Sequence, residues 1–98
     1  MATITDERRA ALLDGLKVDL GIRNSSAYDE RLAQYIDAAV LEIERQGATL
    51  AEQTAESDML IVSFAAWRWR TRDTQAGMPR ALRFSINNLI FSQKARAD

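Results

Sequence analysis

Cysteine and histidine are both missing from the 98 residues. Without them there is no disulfide framework, no Cys/His zinc site and no catalytic triad with histidine as its base. Long apolar runs are missing as well. No segment approaches the roughly 20 apolar residues needed to cross a bilayer, so no membrane partner is expected. The opening "MATITDERRAALL" has no apolar stretch preceded by positive charge, and a cytosolic, soluble chain is the expectation. Phosphate-cradling and dinucleotide glycine motifs, an Asp/Asn-rich calcium loop and a serine elbow are also lacking.

What remains is enough for one domain, spanning 1–98, with a single core. Hydrophobic residues make up 47% and charged residues 28%, which is the balance of a folded chain and not of a disordered one. Paired acids occur at Asp6/Glu7, Asp29/Glu30 and Glu42/Glu44. They fall on helix faces expected to be wet, and general acid–base work needs carboxylates converging in a pocket. The chain is therefore not expected to be an enzyme, and no catalytic residue, metal ligand or cofactor is assigned.

Charge is unevenly divided. Residues 1–60 carry twelve acids and six bases, while residues 61–98 carry two acids and seven bases. Such a polarised chain can offer opposite faces to two partners or to a copy of itself, and its basic half could meet nucleic acid. Compensation of acids by bases across the fold is the competing reading.

Only Pro79 and four glycines punctuate the chain. The periodicity predicts an all-α bundle of about four helices, roughly 6–20, 26–46, 58–75 and 79–94, with a long central third helix. Thr5 or Asp6 caps the first helix, and Gly21 stops it with Ile22 folding back on the last turn. Gly15 inside that helix costs about 1 kcal/mol against alanine, pointing to dependence on tertiary packing or a close neighbour. Tyr28, Leu32, Tyr35, Ile36, Ala39, Val40 and Ile43 recur at steps of three and four in the second helix, capped near Ser25 or Ser26. "ATLAEQTAES" is a connector with a short helical turn expected around Leu50–Glu52.

The third segment, "SDMLIVSFAAWRWRTRDTQAG", alternates tryptophan and arginine as a half-buried strand would. The uninterrupted length from Asp58 to Gln75 decides for a helix instead, with Ser57 or Asp58 as its cap. At about 100° per residue, Leu60, Phe64 and Trp67 share the face expected in the core. Trp69 falls about 200° from Trp67, while Arg68 and Arg72 project together beside Ile61 and Ala65. In the last helix Leu82, Ile86, Leu89 and Ile90 form one stripe, opposite Phe84 and Phe91 with Arg80, Asn87 and Asn88. Trp69, Phe84 and Phe91 exceed the needs of so small a core, and exposed apolar edges of this kind mark interfaces. The candidate interface set is Arg68, Trp69, Arg72, Arg80, Arg83, Phe84, Asn87, Asn88 and Phe91.

The order "LKVDLGI", "IERQGATL", "DMLIVSFAAWRWRTR" and "GMPRALRFSINNLI" resembles the small α-helical head-to-tail connector proteins of tailed bacteriophages, also called head-completion or adaptor proteins. The resemblance spans about Leu16 to Ile90. Its most distinctive element joins the helix end Ala65–Arg72 to Met78-Pro79 and the run Arg83–Asn88. It implies a structural protein of the virion neck, assembled in the bacterial host cytoplasm. Its partners would be copies of itself in a ring, the portal protein and the next neck or tail component, with DNA passing through the channel unread. The last helix and its tail are the portal-facing elements this implies. The alternative from the residues alone is a small helical DNA-binding regulator using the basic C-terminal half.

Overall fold

A computed structural model describes residues 4–97, and the side chain of Ala97 is not described. The described residues contain four α-helices and no strand: α1 (Asp6–Leu20), α2 (Asp29–Arg45), α3 (Ala55–Arg70) and α4 (Arg80–Ala97). The all-α expectation holds.

α1 begins and ends where its local chemistry says it should. The Thr5 hydroxyl accepts from the Arg8 N–H, and Asp6 and Glu7 occupy the first turn, where the helix dipole favours them. At the other end Gly21 adopts φ 74°, a left-handed conformation glycine enters without a Cβ penalty. The Ile22 N–H then reaches back to the Lys17 carbonyl at 3.0 Å and the Gly21 N–H to Val18 at 3.1 Å, satisfying two orphan carbonyls.

The other boundaries shift from expectation. α2 starts at Asp29, not near Ser26. The Ser25 hydroxyl accepts from the Ala27 N–H in a local turn, and Tyr28 stands at the cap position without a side-chain bond. α3 begins three residues earlier and ends five residues earlier than 58–75. Thr54, not Ser57 or Asp58, is its cap, accepting from the Ser57 N–H at 3.1 Å, while Ser57 is buried with its hydroxyl 2.8 Å from that of Thr54. After Arg70 the chain leaves the helix as the Thr71 hydroxyl donates to the Trp67 carbonyl. At 16 residues α3 is central but not long: α2 has 17 and α4 has 18. The connector has bends at Ala51 and Glu52 where a helical turn was expected.

α3 packs against all three other helices, α1 and α2 also pack on each other, and α4 leans mainly on α3. Leu16, Leu32, Ile36, Ile43, Ile61 and Phe64 are among the fully enclosed side chains at the centre. Ile61 and Ala65, expected beside Arg68 and Arg72, belong to this core, while Trp67, expected in it, is only half-buried. The connector contributes too, since Ala48 and Leu50 are buried.

Polar ties hold these layers in register. Arg8, buried, donates through Nε to Asp58 Oδ1 at 2.9 Å and through Nη1 to the Leu50 carbonyl, joining α1, α3 and the connector. Arg9 to Asp37 at 2.9 Å and Lys17 to Asp29 at 2.8 Å join α1 to α2. The Asp37 carboxylate, first by hydrogen bonding and then by its charge, raises the Arg9 pKa above its ordinary value. α4 has its own fastening: the Gln93 amide both accepts from the Thr49 N–H and donates to the Thr49 carbonyl, each at 2.8 Å.

Candidate interface on the basic half

α4 presents two faces of opposite character. Leu82, Ile86 and Leu89 are buried against the rest of the fold. Arg80, Arg83, Phe84, Asn87, Asn88 and Phe91 are all exposed, within an arc of about 140° at 100° per residue. Phe84 is 59% exposed and Phe91 76%, so both rings are largely uncovered among the described residues. α4 carries no acid from Arg80 to Ala97, and among the described residues neither Arg80 nor Arg83 has a carboxylate within ion-pairing distance. Six of the nine candidate residues therefore form one cationic and aromatic surface.

The other three are separate from it in character. Trp69 does not project to a neighbour. It lies half-buried against α2, edge-on to Tyr28 with centroids 5.5 Å apart and to Tyr35 at 5.4 Å. The Arg72 guanidinium covers it 3.9 Å from the ring centroid and donates to the Trp69 carbonyl. An aromatic cluster of this geometry, capped by a cation, stabilises the α2–α3 packing. This corrects the outward placement of Trp69. Arg72 is exposed, but it lies past the end of α3 and so does not share a helical face with Arg68 as expected. Arg68 is exposed, with its guanidinium 5.9 Å from the Trp67 ring centroid. Arg70 behaves as charge compensation predicts, donating to the Asp19 carbonyl at 2.9 Å and standing 3.5 Å from its carboxylate.

The candidate set leaves out a second exposed apolar area, on the flank of α3 that meets α1. Met59 is 71% exposed and Val18 58%. Together with Gly15 and Val62 they line an open groove of about 390 Å³ between α1 and α3. Met59 also borders a groove of about 610 Å³ between α3 and α4. The signal was present in the sequence, because Met59 falls off the Leu60–Phe64 face, but its exposure depends on how far α1 and α4 stand from it.

Among the described residues no group of His, Cys, Asp or Glu side chains is arranged to hold a metal ion, and no helix is long and apolar enough to cross a membrane. The chain matches no family model, no curated protein and no solved structure.

Proposed function

We propose that this chain is a structural protein of the tailed-phage virion, a head-to-tail connector whose copies form a ring on the portal, extend the DNA exit channel and receive the next neck or tail protein. The resemblance in sequence order motivates the reading, and the outward face of α4 is the observation that carries it. Two phenylalanines and two unpaired arginines on one helix face form a surface that a lone protomer leaves in water. Aromatic and arginine side chains are the types enriched at protein interfaces and among their energetic hot spots. A ring needs contacts that are not self-complementary, and the polarised charge of the chain suits such head-to-tail pairing. DNA in the channel would be passed without base reading, as phosphate contacts alone carry no sequence information. The reading assigns no catalytic step and no cofactor.

Native mass spectrometry of the chain mixed with purified portal tests it. The expected result is a portal-bound oligomer, lost on Phe84→Ser/Phe91→Ser while the helical circular dichroism stays intact. A chain that stays monomeric and never engages portal overturns it. The unpaired Arg80 and Arg83 beside Asn87 and Asn88 favour a second reading, duplex DNA binding. A salt-dependent gel shift abolished by Arg80→Ala/Arg83→Ala would replace the connector with that regulator.

A further inference from the structure

The outward face of α4 has a counterpart on the same molecule. On the α1–α3 side, Gly15, Val18, Met59 and Val62 line a shallow apolar groove, two of them more than half exposed. Its own carboxylates, Asp19 and Asp58, are paired with Arg70 and Arg8, and two more stand beside it. Asp14 precedes Gly15 on α1 and shares a depression with it, Val18, Arg23 and Lys17, the last paired with Asp29. Glu56 stands one turn before Met59 on α3 and lines the adjoining groove with it. Both are exposed, and neither has an ion-pair partner among the described residues. The α4 face has the reverse pattern, with Phe84 and Phe91 flanked by Arg80, Arg83 and Lys94 and no acid on the helix.

We infer that the outward face of α4 in one copy seats on the acid-bordered groove around Met59 in a second copy, an inference that rests on the self-assembling reading above. Glu56, beside Met59 with no cation lining its groove, complements the α4 cations in charge, and each surface offers apolar area where the other does. Pairing α4 with α4 across a two-fold axis would instead set Arg80, Arg83 and Lys94 against like charges, which disfavours that arrangement. Glycine at position 15 leaves the α1 backbone uncovered at the floor of the groove, so an incoming helix can approach closely. Because knob and groove lie on different helices of the protomer, a docking that is not reciprocated leaves one of each unused. Unless two copies reciprocate the contact across a two-fold axis, it propagates into a closed ring or an open filament.

The lack of native cysteine makes the test clean. Met59→Cys and Phe91→Cys, both at exposed positions, are purified separately, mixed at high concentration and oxidised. A disulfide requires Cα atoms within about 7 Å, so the adducts report the pairing directly. The expected product is predominantly the mixed adduct, suppressed by high salt or by Glu56→Lys. Dominant Phe91→Cys self-adducts, a statistical mixture or no adduct overturns the inference. Sedimentation of the unmodified chain reads the ring separately. A closed oligomer with the wrong adducts removes this pairing and leaves the ring, whereas mixed adducts in an open-ended series keep the pairing and remove the ring.

Discussion

Replacing Gly15 by alanine should raise stability and weaken self-association at the same time. Glycine in a helix interior costs about 0.8–1.0 kcal/mol relative to alanine, largely through the backbone freedom lost on folding. The gain is realised only if the new methyl fits. A Cβ at position 15 would meet the Val62 Cγ2 at 3.6 Å, an ordinary van der Waals contact. No strain offsets the propensity, and the folded monomer should gain about 0.8 kcal/mol. For a domain of this size each kcal/mol moves the melting temperature by about 4–8 °C, so a rise of about 3–6 °C is expected in calorimetry on dilute protein. The same methyl raises the floor of the groove between α1 and α3. Sedimentation at high concentration should therefore show weaker association for the variant than for the parent chain. A fall in melting temperature would refute the packing described for Gly15. A rise with unchanged association would refute its role at the contact.

Arg8→Ala removes a buried cation that joins three segments, taking the donor from the Leu50 carbonyl and leaving the Asp58 carboxylate with Gln53 alone. Breaking such a pair should cost about 3 kcal/mol, read as a shift of the urea midpoint at unchanged slope. Gln93→Ala removes both hydrogen bonds to Thr49, a loss of about 1–2 kcal/mol. Because that amide fastens α4 alone, hydrogen exchange should quicken in 80–97 while protection in α1, α2 and α3 is retained.

The sequence revealed most where structure is decided locally. The ends of α1 follow from Thr5 and Gly21, whose cap bonds are made within a few residues. The buried stripe Leu82, Ile86 and Leu89 follows from periodicity, and with it the exposure of Phe84 and Phe91. The start of α3 was ambiguous because Thr54 and Ser57 are both good caps. Burial decided it, with Ser57 drawn inside and its N–H given to Thr54. Its end was illegible for a related reason: nothing nearby breaks the helix before Gly77, and the turn after Arg70 forms with Arg72 folded over Trp69. Trp69 itself was placed outside because its two tyrosine neighbours are on α2, far away in the chain. A helical wheel orders the residues of one helix around its own axis and carries no information on which neighbour covers each side. The Met59 groove escaped for the same reason, and so did Arg8, whose partners Leu50 and Asp58 lie far along the chain.

The attachment of α4 has a consequence for how such a molecule can change over generations. A helix that leans on one neighbour and is pinned by a single amide can be retilted, or its outer residues rewritten, without repacking Leu16, Leu32 or Ile36 on the far side of α3. Fit to a new companion can thus be tuned on one rod while the other three conserve the architecture.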